Sequence, residues 1–230
     1  KVHTLIGGYK SFRRWTLDQF EKKYPFTLIG GYTGSGKTDL LMALQSAGQS
    51  VLDLEGLAHH KGSAFGNIGQ PEQPSQEQFE NKLSLALLNL SKNSPDKIWV
   101  EDESQRIGRL NVPGPIWEQM RSAAVLFLEI PFEERLKYIV KGYGFLEAQR
   151  LIDATDRIRK KLGDKNATDA IEYISNGQIL PAFDILLRYY DKLYLKSLFH
   201  RENAQALIQV IEATEVNESN IQLLLNHRPK

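Results

Sequence analysis

Cysteine is absent from the 230 residues. Disulfides, thiolate metal sites and a cysteine nucleophile are therefore excluded within this chain. Long apolar runs are absent too: none approaches the roughly 18 residues that a membrane helix needs. No membrane partner is expected, and no secretory apolar segment is visible, so a cytoplasmic location is the default expectation. Charge of one sign is also lacking. The formal net charge is +1, which gives no global electrostatic pull toward nucleic acid or membrane. The opening on Lys1 rather than Met makes a fragment of a longer protein the expectation.

What charge there is falls unevenly. Residues 1–24 hold six Lys/Arg (Lys1, Lys10, Arg13, Arg14, Lys22, Lys23) against Asp18 and Glu21, whereas residues 51–103 hold nine acids against four bases. Such asymmetry allows a local basic patch for a polyanion. Apolar residues at 41% and charged residues at 25% are ordinary for a globular protein. The string TLIGGY occurs at Thr4–Tyr9 and at Thr27–Tyr32, but the flanks differ and no longer period appears.

Residues 1–12 read as an extended lead-in, followed by a helix from Arg13 to Lys23. Short apolar runs predict strands at Phe26–Gly30, Ser50–Leu54, Lys97–Glu101, Ala124–Ile130 and Ala206–Ile211. Helical patterns fall at Lys37–Ala47, Phe79–Lys92, Ile116–Ser122 and Ser219–His227, and repeatedly through 132–200. Pro181 stands near the start of a long helix that ends at Phe199. Strands alternating with helices predict an α/β fold, a parallel five-stranded sheet of the P-loop NTPase type with helices on both faces. The helical block between the fourth and fifth strands is an insertion or lid. The expected organisation is a lead-in (1–24), a P-loop core (25–131), a helical subdomain (132–203) and a final strand and helix of the core (204–230). Residues 56–78, rich in Gly, Gln, Pro, Ser and His, form a connection long enough to suggest function.

Gly31-Tyr-Thr-Gly-Ser-Gly-Lys-Thr38 matches G-x-x-x-x-G-K-[ST] in full, between a predicted strand and a predicted helix. The candidate anion cradle is Gly31, Thr33, Gly34, Ser35, Gly36, Lys37 and Thr38. Glycines let backbone N–H groups converge on a phosphate at the positive end of a helix. Lys37 adds a point charge, and the Thr38 hydroxyl suits Mg²⁺. Such a loop also needs an acid to hold the metal. Asp53 and Glu55 end the second strand, and Glu101, Asp102 and Glu103 end the third, both at the carboxyl edge that faces the crevice. Glu101 or Asp102 is favoured, with Thr38 and Asp53 completing the metal set. The plainer reading is that some of these acids pair with arginines or cap helices. Arg106 and Arg109 either clamp a diphosphate or neutralise Glu101–Glu103. His59-His60-Lys61 either contacts phosphate or uridine, with a histidine as general acid or base, or is a solvated polar loop. Adjacent histidines without a third ligand make a poor zinc site.

Several segments together resemble tRNA 2-selenouridine synthase. They are Gly7-Gly-Tyr-Lys-Ser-Phe-Arg13, the P-loop, Leu52-Asp-Leu-Glu-Gly-Leu-Ala-His-His-Lys-Gly-Ser-Ala-Phe-Gly66, Gln73-Pro-Ser-Gln76, and Trp99-Val-Glu-Asp-Glu-Ser104 with Ile107-Gly108. The likeness is dense over about residues 6–110 and loose beyond, through Leu187-Arg-Tyr-Tyr-Asp191. It implies a two-step transferase acting on wobble 2-thiouridine in the tRNA anticodon arm. A geranyl group from geranyl diphosphate goes onto sulfur, and selenium from selenophosphate then displaces it. It favours a catalytic role for His59 and His60, beside which Arg106 and Arg109 stand as catalytic candidates from their place after the acidic cluster. It also implies a preceding rhodanese-like domain with an essential cysteine. This chain carries neither, so it is expected to correspond to the C-terminal portion.

Both donors present phosphate groups that a P-loop can cradle. The helical block could line a pocket for an isoprenoid tail with Phe145, Leu146, Leu186, Tyr189, Tyr190 and Tyr194, or these residues are packing core. The helices from Glu133 to Lys165 hold nine Lys/Arg against six acids, densest at Arg157-Ile-Arg-Lys-Lys161. With Arg13 and Arg14 they could track a tRNA backbone, or form an ordinary solvated face. The alternative function is a small-molecule kinase or NTPase using ATP or GTP with Mg²⁺, the helical block being its lid. A third is a nucleotide-binding module without chemistry.

Overall fold

The computed structural model describes residues 4–93 and 95–227; Lys1 of the basic lead-in lies outside them. The chain runs α1 (Gly8–Phe20), β1 (Phe26–Gly31), α2 (Lys37–Ser46), β2 (Val51–Leu52), α3 (Leu54–Ala58), α4 (Gln76–Lys92), β3 (Ile98–Glu101), β4 (Arg106–Ile107), β5 (Leu110–Asn111), α5 (Gly114–Ser122) and β6 (Ala124–Glu129). The helical block follows as α6 (Phe132–Tyr143), α7 (Ala148–Arg157), α8 (Arg159–Leu162), α9 (Asp164–Ser175) and α10 (Ile179–Phe199). The chain then returns through α11 (Ala204–Leu207), β7 (Ile208–Glu212), a 3₁₀ turn at Glu218–Asn220 and α12 (Ile221–Asn226).

The sheet has the order β2-β3-β1-β6-β7, and every pairing in it is parallel. β1 is central and buried along its whole length. Burial on both faces is why its residues read as one apolar run rather than an alternation. Successive side chains still separate by face. Leu28, Val100 and Val125 join α4 and α5 in one apolar cluster, while Ile29, Trp99 and Leu126 join α2 and α12 in another. A third cluster is the core of the helical block, built from α6, α7, α9 and α10 with Phe65 and Ile68 of the connection after α3.

The parallel sheet, its flanking helices and the helical block between β6 and β7 match the fold expected from sequence. Local differences have physical causes. The helix expected from Arg13 starts at Gly8, because Tyr9 and Arg13 of α1 bond to Glu77 and Glu80 of α4. The connection over 56–78 is not structureless. Gln73 donates to the carbonyls of Ala58 and Ile107 and accepts from the Arg109 amide, which fastens the β4–β5 hairpin beside α3. Among the described residues no helix is long and apolar enough to cross a membrane.

Candidate phosphate and metal site

The order of strands changes direction at β1, and the loop after β1 lies at the carboxyl edge, where ligands of open α/β sheets bind. Residues 31–36 turn from β1 into α2. Gly36 precedes α2 at φ 72°, in the left-handed region, and a Cβ there would fall 2.6 Å from Val216. Only glycine meets both demands. No side chain caps α2. Among the described residues, the amides of Gly34, Gly36, Lys37 and Thr38 donate to no protein acceptor. They are the groups an anion at a helix N-terminus would take. Lys37 Nζ donates to the Gly31 carbonyl at 2.9 Å. Ser35 Oγ is buried in the same turn without a partner.

Beside this cradle, carboxylate oxygens of Glu55, Glu101 and Glu103 lie within 4.8 Å of one another. Glu55 and Glu101 are buried. Thr38 Oγ1 donates to Glu55 Oε2 at 3.4 Å. Glu101 Oε1 is buried with no partner. Burial first, and then the charges of their neighbours, raise the pKa values of Glu55 and Glu101; burial raises Glu103 against the opposing pull of Lys37. Gly62 closes the cluster from above, since a Cβ there would fall 2.5 Å from Glu103 Oε2 and 2.8 Å from Glu55 Oε1. Three carboxylates and one hydroxyl form a hard-oxygen donor set that fits Mg²⁺.

The remaining acids stand differently. Asp53 caps α3, accepting the Gly56 amide at 2.7 Å. Asp102 is buried in an ion pair with Arg201 and accepts the Tyr194 hydroxyl at 2.9 Å. Alternation along an extended chain gives the reason: residues 101 and 103 share a side and 102 points away. That period, applied to Glu101-Asp-Glu103, is the signal that singles out Glu101 and Glu103 as one face; it does not extend to Asp53-Leu-Glu55, where α3 has already begun.

Arg106 and Arg109 do not neutralise Glu101–Glu103. Arg106 Nε donates to the Gly108 carbonyl, and Arg109 bonds Glu72 and the Gln73 carbonyl, both in exposed positions. Sequence reasoning missed Arg201, about a hundred residues away, as the partner of Asp102. His59 ends α3 at φ 52°, its Nδ1 2.9 Å from the Glu72 carbonyl. His60 is buried, its ring lying between Gly66 and Gly108, and its Nδ1 has no partner. Burial, and then the Arg157 charge, lower its pKa, so it is held neutral.

The loop from Lys61 to Gly66 bridges site and helical block. Phe65 packs among Tyr143, Phe183 and Tyr190, and the Ala64 amide donates to the Tyr190 hydroxyl at 3.2 Å. Among the six candidate tail-lining residues, Leu186 is buried core and Leu146, Tyr189 and Tyr190 pack half-buried around it. Phe145 is 78% exposed. Tyr194 lies apart from these, beneath the P-loop against Tyr32 and Phe127. In the basic segments, Arg13 pairs with Glu80, Arg159 with Asp156 and Asp164, and Arg157 donates to the Ala64 carbonyl. Arg14, Lys160 and Lys161 are exposed.

The family model described as the tRNA 2-selenouridine synthase AAA domain matches residues 24–221. A tRNA 2-selenouridine synthase of Shewanella halifaxensis is 34% identical over 222 residues, 83% of this chain and 60% of that protein. One from Marinobacter nauticus is 40% identical over 177 residues, covering 68% and 47% of the two chains. One from Nitrosomonas eutropha is 41% identical over 143 residues, covering 60% and 36%. The chain therefore spans 60% or less of the length of these relatives. With the P-loop, the parallel sheet and these matches agreeing, the chain belongs to the tRNA 2-selenouridine synthase AAA-domain family.

Proposed function

We propose that this chain is the phosphate-binding portion of a tRNA wobble-uridine-modifying transferase. The cradle of Gly31–Thr38 receives the diphosphate of geranyl diphosphate. Thr38, Glu55, Glu101 and Glu103 hold Mg²⁺, which would neutralise charge on the phosphate oxygens when bound. The sulfur of wobble 2-thiouridine attacks the carbon that carries the diphosphate. The C–O bond breaks, and its electron pair leaves with the diphosphate, whose charge Lys37 and the loop amides stabilise. The uridine gives up its ring N–H proton, and neutral His60 is the candidate acceptor. The selenium of selenophosphate then bonds the uridine carbon as its C–S bond breaks and geranylthiol leaves, and water cleaves the Se–P bond to release phosphate, for which the same cradle is suited. The rhodanese-like domain implied by the resemblance lies outside this sequence. Asp53 and Asp102 support the site rather than bind the metal. Arg106, Arg109, Arg14, Lys160 and Lys161 are assigned to the tRNA backbone, and His59 to the shape of the loop.

One observation carries this reading: unspent P-loop amides stand beside a cluster of three carboxylates that forms no ion pair among the described residues and has Lys37 as its near cation. The test is transfer of geranyl to an anticodon stem–loop containing 2-thiouridine, read by mass spectrometry. Lys37→Ala is expected to lower the rate by roughly 100-fold, as for loss of a group that stabilises developing charge. Transfer at the wild-type rate would remove the cradle from the reaction. Mg²⁺-dependent ATP hydrolysis without transfer would support the kinase or NTPase reading instead.

A further inference from the structure

Helix α10 passes through two cores. Phe183, Leu186 and Leu187 lie in the cluster of the helical block, and Leu198 lies in the cluster under the sheet. Between them Asp191 and Tyr194 are three residues apart, hence on one face of the helix. Both reach the phosphate loop. The Tyr194 hydroxyl accepts the Gly31 amide at 3.2 Å and donates to Asp102 Oδ2 at 2.9 Å. Asp102 is fixed in turn by Arg201, whose side chain is 1% exposed. With its single proton committed to Asp102, the hydroxyl offers Gly31 a lone pair.

Asp191 acts through Arg135. Its two carboxylate oxygens take Nη1 and Nη2 of Arg135 at 2.9 and 2.8 Å, a bidentate pair. Arg135 Nη1 also donates to the Thr33 carbonyl at 3.0 Å, and Nε donates to the Ile130 carbonyl at 3.1 Å. The guanidinium lies 4.7 Å from the centre of the Tyr32 ring. Two peptide groups of the loop are thus held from α10, the Gly31 N–H by Tyr194 directly and the Thr33 C=O through Arg135 of α6. The Tyr194 ring also lies 5.5 Å from Lys37 Nζ.

We infer that α10 is the positioning element of the phosphate cradle. Tyr194 directly, and Asp191 through Arg135, hold the loop peptides in the geometry that phosphate requires, so cradle occupancy and the order of α10 are coupled. The inference rests on the reading that the cradle binds phosphate. Neither residue is assigned contact with the ligand. Their role follows from buried, mutually satisfied polar groups: removing one member leaves the Gly31 amide or the Asp102 carboxylate short of a partner. Because Asp102 directly follows Glu101, the same network steadies the backbone that carries the carboxylate cluster. Coupling of this kind is reciprocal, so whatever binds the helical block changes phosphate affinity as well.

The experiment titrates inorganic diphosphate with Mg²⁺ into wild type, Tyr194→Phe and Asp191→Asn, well below the melting temperature of each. Tyr194→Phe keeps the ring and its packing. Each variant is expected to bind about tenfold more weakly, the scale of one lost buried hydrogen bond. In the wild type, diphosphate is also expected to slow amide hydrogen exchange across residues 188–198. A purely structural role would lower the melting temperature and leave the affinity unchanged; that result would overturn the inference. Should Tyr194→Phe fail to fold, Asp191→Asn and the exchange measurement decide. If wild type itself binds no diphosphate, the phosphate reading fails, and the inference goes with it. If wild type binds but exchange in α10 and both affinities stay unchanged, the inference alone fails.

Discussion

The phosphate cradle and the carboxylate cluster adjoin, yet they are assembled in opposite ways. The cradle is eight consecutive residues whose shape comes from local backbone: glycines in conformations other residues avoid, followed by an uncapped helix start. The cluster takes Glu55 from the first turn of α3 and Glu101 and Glu103 from the end of β3 and the residues just after it, and Thr38 of the cradle joins them. The cradle presents donors, the amides of Gly34, Gly36, Lys37 and Thr38, with Lys37 resting on the Gly31 carbonyl. The cluster presents acceptors. Burial first raises the pKa values of all three carboxylates, the charge of Glu103 adds to the rise at Glu55 and Glu101, and a cation is the direct remedy. A contiguous motif gathers donors for an anion, whereas tertiary structure gathers acceptors for a cation.

That contrast breaks most sharply at Glu101. Glu101→Gln is expected to weaken Mg²⁺-dependent diphosphate binding by roughly 100-fold, the upper range for damage to a metal site. The same change relieves buried repulsion, so the chelator-treated variant is expected to melt about 2–4 °C above wild type. Calorimetry and thermal melts read the two effects, and equal losses in both would mean the cluster is structural.

The pH dependence sharpens the comparison further. Glu55 and Glu101 have folded pKa values raised above the ordinary 4.5. A raised carboxylate contributes stability that is full below the unfolded value and lost as pH rises through the folded one. Metal-free protein is therefore expected to lose stability from about pH 5 upward, and Mg²⁺ is expected to flatten that slope. Melting curves across pH 5 to 9, with chelator or with Mg²⁺, check both parts. A metal-free stability that climbs over this range would contradict the description of the cluster.

The smaller effects fall outside both regions. Asp53→Ala removes the cap of α3 and is expected to cost about 1 kcal/mol while leaving Mg²⁺ affinity nearly unchanged. Arg109→Ala breaks an exposed pair with Glu72 and an exposed bond to the Gln73 carbonyl, and its stability change is expected to stay within about 0.5 kcal/mol. A large loss of diphosphate affinity in Arg109→Ala would restore the clamp that the hairpin geometry speaks against.

Legibility followed the same division. The cradle and the strands around it were readable because their information is contiguous: apolar runs, glycines at fixed offsets, a lysine and a threonine. The carboxyl edge was half readable. Sequence placed five acids there but could not say that Asp102 turns toward Arg201, because that partner arrives through α10 and the following turn, almost a hundred positions on. The grip of Tyr194 and Asp191 on the loop was out of reach for the same reason. Tyr194 read as one of several aromatics on a helix, and its hydroxyl gains meaning only beside Gly31. The basic run at Arg157–Lys161 lost part of its apparent charge to Asp156, Asp164 and the Ala64 carbonyl once the helices packed.

In the proposed function the amides of Gly34, Gly36, Lys37 and Thr38, the Lys37 ammonium and a metal at Glu55, Glu101 and Glu103 together receive a diphosphate. The most direct measurement is a calorimetric titration of the purified chain with inorganic diphosphate, with and without Mg²⁺, alongside Lys37→Ala. The account predicts saturable one-to-one binding that Mg²⁺ strengthens and Lys37→Ala abolishes. Binding that ignores both Mg²⁺ and Lys37, or no binding by the wild type at all, would contradict it.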